Sequence, residues 1–208
     1  IHNSRMQKWF KEVMGEQCNH RVSLPDGYGE IHVPQVSFNV IYILSHLYRH
    51  IFTEGIGLRQ LLDYYFVLVK WHTDLTNLTD SNKSLPQMTQ INTDLDTLRH
   101  ELKYLGLWKF AQAVMFVMKE VFGLSEDRMI APMDEKEGSF LLDEIMRGGN
   151  FGQYDDRMGS KVGESKIHRY FRMNLRNLRF VKHYPTEAFC EPVFRTWFAG
   201  WKFINRIK

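Results

Sequence analysis

The sequence has 208 residues, 44% hydrophobic and 25% charged, with a formal net charge of +3, proportions that exclude a disordered or fibrous chain and fit one or at most two globular domains. A compact chain of this length buries roughly 70% of the surface its unfolded form exposes, so its core needs neither disulfides nor a structural metal. The charge is unevenly spread: residues 1–159 carry 16 Lys/Arg against 21 Asp/Glu, whereas residues 160–208 carry 11 against 3, so an anionic partner would bind the last quarter.

In chain order, the opening Ile1-His2 shows neither an initiator Met nor a signal-peptide pattern, and the chain reads as a piece of a longer protein. Met6, Trp9, Phe10, Val13 and Met14 recur at helical spacing, predicting a helix from Ser4 to Glu16. Two short alternating runs around Pro25-Asp26-Gly27 predict a β-hairpin from Val22 to Val33. A long apolar helix is expected from Ser37 to about Thr53, broken by Gly55-Ile56-Gly57, and a second from Leu58 to about Leu75. Thr76 to Thr89 reads as a polar loop.

Two further helices, Ile91 to Leu105 and Trp108 to Phe122, are separated by Gly106, the second apolar on most sides and therefore buried. Ser139 is placed to cap a short helix ending at Arg147, and Asn150 to Gly163 is a polar connection. Two basic amphipathic helices, Ser165 to His183 and Phe189 to Ile207, close the chain. The expectation is a mainly α fold: one helical domain over 1–208, a bundle of about seven helices with one N-terminal hairpin, in which 160–208 form the basic tail. Val36 to Phe52 is interrupted by Asn39, Ser45, His46, Arg49 and His50, so it is too polar for a membrane span. Cys18 and Cys190, far apart and outside any CxxC or Cys/His cluster, point to a reducing, cytoplasmic setting.

The densest polar cluster in an apolar stretch is His46-Leu-Tyr-Arg49-His50, followed by Gly55-Ile-Gly57-Leu-Arg59-Gln60-Leu-Leu-Asp63. His46 and His50 share a helix face, as do Arg59 and Asp63 on the next helix. A metal site on the histidines lacks the fixed-spacing carboxylate of an HExxH pattern. Two readings stand beside it. One is an intrahelical Arg59/Asp63 ion pair with structurally satisfied histidines; the other is an anionic-ligand pocket at a helix N-terminus, with Arg59 as a fixed fork.

These residues, from His46 through Phe52 and Glu54-Gly-Ile-Gly-Leu-Arg-Gln-Leu-Leu-Asp63-Tyr-Tyr, resemble the signature of a largely uncharacterised bacterial nucleotidyltransferase family, a divergent branch of the polymerase-β-like superfamily. Leu105-Gly-Leu-Trp-Lys-Phe-Ala and Gly138-Ser-Phe-Leu-Leu-Asp-Glu-Ile-Met with Gly149-Asn-Phe-Gly152 resemble its helical C-terminal half, so the likeness runs from about Ile1 to Asp156. The resemblance implies transfer of a nucleotidyl group from an NTP to an acceptor. It implies Mg²⁺ held by a Gly-Ser motif, an Asp-x-Asp pair and a third carboxylate, with His46, His50, Arg59, Gln60 and Asp63 contributing substrate contacts. Asp94-Leu-Asp96 is the one Asp-x-Asp, with no Gly-Ser upstream, and sits where a helix begins. The catalytic domain is therefore expected upstream of Ile1, with no catalytic or metal residue in this chain, which alone is expected to be inactive.

Arg169, Arg172, Arg176 and Arg179 repeat at helical spacing beside an apolar stripe of Ile167, Phe171, Leu175 and Leu178. A solvated face is the default for such charges, with phosphate or nucleic-acid contact and an anionic membrane surface as alternatives. Trp197, Trp201 and Ile204 lie opposite Arg195, Lys202 and Arg206, the pattern of an interfacial helix, although packing onto the domain would use the same stripe. The rival to the enzyme reading is a non-enzymatic helical interaction module, peripheral to an anionic membrane through this tail.

Overall fold

Eight α-helices and one two-stranded antiparallel sheet account for the regular structure of the computed structural model, which describes residues 4–17, 19–81, 87–148 and 166–205. In order they are α1 (Ser4–Gln17), β1 (Arg21–Ser23), β2 (Glu30–His32), α2 (Val36–Thr53), α3 (Leu58–Ser81), α4 (Gln87–Tyr104), α5 (Trp108–Phe122), α6 (Glu135–Gly148), α7 (Lys166–Asn177) and α8 (Pro185–Ile204). The chain is mainly α, as its periodicities predict.

The hairpin is small and stays out of the core: Arg21 faces His32, Val22 faces Ile31 and Ser23 faces Glu30, and all six residues are exposed. Its base is fixed by polar bonds. The Gln35 N–H donates to buried Gln17 Oε1 at 2.8 Å, and the His20 ring nitrogen Nδ1 lies 2.9 Å from the Val33 carbonyl.

The core lies between α2, α3, α4, α5 and α6. Leu61, Tyr64 and Leu68, at spacings of three and four on α3, are fully buried, and the Tyr64 hydroxyl donates to the Val40 carbonyl of α2 at 3.1 Å. That bond satisfies a hydroxyl that would otherwise be stranded in apolar surroundings. Burial drives its pKa up. α5 is the helix expected to be apolar nearly all round, and Phe110, Ala111, Ala113, Val114, Met115, Val117 and Met118 are buried on it. It ends where Gly123 turns left-handed, φ 67°, and returns its N–H to Lys119.

α6 crosses α5 so closely that a Cβ on Gly138 would collide with the Phe116 ring. Next to this contact lies a buried charge: Glu137 accepts from Lys109 Nζ at 3.1 Å and lies 2.8 Å from His183 Nδ1. Lys109 also donates to the His183 carbonyl at 2.7 Å, and the His183 ring stacks 3.7 Å from Phe140. Three separate parts of the chain, α5, α6 and the turn before α8, are thereby tied at one point.

Several boundaries differ from the sequence reading. The helix read as Ser165 to His183 ends at Asn177, and the one read from Phe189 starts at Pro185, whose missing N–H costs nothing in a first helical turn. α3 continues through Thr76 to Ser81 and α4 begins at Gln87, so most of the expected polar loop is helical and only 82–86 of it lie outside the described residues. Once a helix is nucleated, extending it through Thr, Asn or Asp costs only about 0.5 kcal/mol per residue. α6 starts at Glu135, one turn before Ser139, because Asp134 Oδ1 caps it by accepting the Glu137 N–H at 3.0 Å. The connection read between Asn150 and Gly163 lies outside the described residues.

Candidate functional site

The signature residues sit where α2 ends and α3 begins. The Glu54 and Gly55 N–H groups both return to the His50 carbonyl, at 3.0 and 2.7 Å, and Gly55 adopts φ 88°, a conformation that costs glycine little. Gly57 then caps α3. Its N–H is taken by Gln60 Oε1 at 2.7 Å, the reciprocal half of a capping box. Gln60, expected among the substrate contacts, thus has its oxygen committed to the turn.

His46 and His50 point at each other, with Nε2 to Nε2 at 2.9 Å and the rings edge to face. Such a bond needs one nitrogen as donor and the other as acceptor, so the two rings cannot both be protonated at these atoms. Glu54 stands 3.6 Å from the opposite nitrogen of His50. The His46 pKa is held below 6.5, first by its partial burial, then by His50 and Arg49, with Glu54 acting in the other direction.

Arg59 and Asp63 are both exposed, and among the described residues neither forms an ion pair. The intrahelical pair that their spacing allows is therefore not made. Arg59 displays its planar fork of donors in the first turn of α3, beside the peptide N–H groups of that helix end.

Behind the turn, the tail meets the bundle. Arg176 Nη2 donates to the Ile51 carbonyl at 2.9 Å, placing a cation on one of the last carbonyls of α2, and Arg179 pairs with Glu144 of α6 at 3.3 Å. A cavity of about 30 Å³ lies here, lined by Ile51, Gly55, Ile56, Glu144, Arg176 and Phe180 among others. It has room for one or two waters and none for a nucleotide. Arg176 and the signature turn, read from sequence as separate features, are thus neighbours. The side chains of Arg169 and Arg172 lie outside the described residues.

The second concave region is at the far end of α2. A cleft of about 700 Å³ opens between α1, α2, α3 and α4, with Trp9, Trp71, Asp74, Asp94 and Glu101 in its wall. Burial lifts the carboxyls of Asp94 and Glu101 above their ordinary range. Sequence reading missed this cleft, since its residues come from four helices and share no local motif.

Asp94 and Asp96 do not fit the implied Mg²⁺ pair. On a strand, residues two apart share a face, whereas on a helix they diverge by about 200°. Both lie on α4: Asp94 lines the cleft, while Asp96 sits 3.6 Å from Arg99 in a different concavity. No group of three His, Cys, Asp or Glu side chains converges as a metal site among the described residues. Comparison with models of known protein families, with curated proteins and with solved structures gives no match in any of the three.

Proposed function

We propose that this chain is the helical, substrate-binding portion of a nucleotidyltransferase that moves a nucleotidyl group from an NTP to an acceptor in the cytoplasm. The catalytic carboxylates and their Mg²⁺ belong to an upstream domain. The observation that carries the reading is the open presentation of Arg59 and Asp63: both are exposed and without an ion pair among the described residues. A structural role would have used the i, i+4 geometry to neutralise both charges. An exposed, unpaired guanidinium at a helix N-terminus suits a phosphate or carboxylate, and the His46/His50 pair near the end of α2 offers a ring donor and a ring acceptor.

On this reading the substrate lies on the outer surface of the turn, since the cavity behind it is too small for a nucleotide, and the upstream domain forms the opposite wall. The work of these residues is to bind and orient.

The test is Arg59→Ala in the protein carrying its upstream domain, read for activity and melting temperature together. Because Arg59 is exposed, stability should change by no more than about 0.5 kcal/mol. Nucleotidyl transfer should fall at least about tenfold, as expected for a lost charged contact of roughly 1.5 kcal/mol or more. Unchanged transfer would remove the site. A second reading, a helical interaction module without catalysis, is favoured by the outward apolar face of the tail and would stand if that protein transferred nothing.

A further inference from the structure

The tail turns apolar residues outward. Arg176 at the end of α7 and Arg179 just after it face the bundle, where they meet the Ile51 carbonyl and Glu144. The apolar residues of the same segment, Phe171, Leu175 and Leu178, are each 60% exposed. α8 also exposes apolar residues. Its buried residues, Ala188 and Glu191, both lie in its first two turns, where Glu191 also holds Arg195 at 2.7 Å. Phe189, Val193, Trp197, Trp201 and Ile204 follow one another at spacings of three and four along a single side, with exposures from 41% for Trp201 to 79% for Ile204.

Soluble helices bury their apolar stripe and show their charged one. Here apolar side chains stand outward on two successive segments. The second half of α8 is exposed on every side, Phe198 and Phe203 included, and the stripe itself spans about a third of the helix circumference. The chemistry around it is also specific. Two tryptophans lie within the stripe, Lys202 stands 4.9 Å from the Phe198 ring centre beside it, and Arg206 and Lys208 follow in sequence. Trp and Phe on one side with Lys and Arg on the other is the composition of helices that lie in the headgroup layer. The segment 160–208 carries 11 Lys/Arg against 3 Asp/Glu; with Arg176, Arg179 and Arg195 engaged within the fold, the remaining excess of cations still complements an anionic leaflet. Among the described residues no helix is long and apolar enough to cross a membrane, so the contact is peripheral.

We infer that the outward apolar faces of α7 and α8, with the cations beside them, form a docking surface for an anionic lipid bilayer, α8 lying in the headgroup layer with Trp197 and Trp201 inserted. This does not depend on the nucleotidyltransferase reading; it holds for an enzyme or for an interaction module.

The experiment is flotation of the 208-residue chain with vesicles of phosphatidylcholine, alone or mixed with phosphatidylglycerol, at low and high salt, alongside tryptophan emission. Binding to the anionic vesicles should be at least about tenfold tighter than to neutral ones, weaken with salt, and shift the emission to the blue. The double variant Trp197→Ser/Trp201→Ser should lose about tenfold or more of that binding with an unchanged melting temperature. Val193→Ser, at a position equally exposed, gives a milder loss and serves if the double variant does not fold. Failure to float with anionic vesicles at low salt overturns the inference, as does equal binding by the variants. Retention of an oligonucleotide in place of vesicles assigns the surface to nucleic acid. A dimer that forms without vesicles and is lost in the double variant assigns it to a second copy. Either outcome overturns lipid docking.

Discussion

The bundle and the tail use the same residue types in opposite senses. In the bundle, apolar side chains point inward and the buried acid Glu137 is flanked by Lys109 and His183. In the tail, arginines point inward and Leu175, Leu178, Val193 and Trp197 point out. The lesson is that amphipathic period alone does not say which stripe faces the protein. That is decided by what the neighbouring surface offers. The end of α2 offers carbonyls left without intrahelical partners, and α6 offers Glu144, so the surface beside α7 suits guanidinium groups better than leucines.

The largest effect expected from this contrast is at the buried acid. Glu137→Ala removes the carboxylate shared by Lys109 and His183, leaving Lys109 with the His183 carbonyl alone. It should cost about 1.5 to 3 kcal/mol, a drop of roughly 3 to 12 °C in melting temperature for a chain of this size. A denaturant titration that moved by less than about 1 kcal/mol would show the cluster to be incidental to the bundle. Gly138→Ala comes next. The added methyl meets Phe116 across the α5/α6 contact and should cost about 1 to 3 kcal/mol through overpacking, with Phe116→Ala in the same chain relieving the clash. An additive double variant would sink that account.

How far the sequence disclosed all this differs by region. The bounds of α5 were readable from Gly106 and Gly123, because a left-handed turn after an apolar period is a strong local signal. Asp134 three residues before Glu137 was an equally local sign of the α6 start, masked by the more familiar Ser139. The signature turn was legible in its glycines, whereas Gln60, expected among the substrate contacts, closes the turn by capping Gly57. What local pattern could not carry is pairing across the fold. Arg176 finds Ile51 at a separation of 125 residues, and Arg179 finds Glu144 at 35. The failure of Arg59 and Asp63 to pair was likewise hidden, since their spacing permits the bond.

In the tail, effects on stability should be small. Leu175→Ser and Val193→Ser replace exposed apolar groups and should shift unfolding by no more than about 0.5 kcal/mol, where the same change at Leu61 or Leu68 in the bundle would cost about 2 to 5. A loss at Leu175 as large as at Leu61 would mean that the stripe is buried in solution, and the contrast between the two regions would collapse.

The smallest effect tests the histidine pair at the join of the two regions. A histidine whose folded pKa is lowered binds its proton more weakly in the native chain than in the unfolded one, so protonation favours unfolding. For His46 the stability is intact above its ordinary 6.5 and falls as pH drops through that value toward the lower folded one. The ring is largely exposed, so solvent screening limits the change to no more than about 0.5 kcal/mol, or about 1 to 2 °C. His46→Asn keeps a polar group but cannot titrate. Melting curves of the two proteins taken above and below 6.5 should therefore converge as pH falls, the wild type losing more than the variant. Parallel lines would mean that His50 and the partial burial do not act on the His46 proton in solution, and the 2.9 Å contact between the rings would lose its role as a donor and acceptor pair.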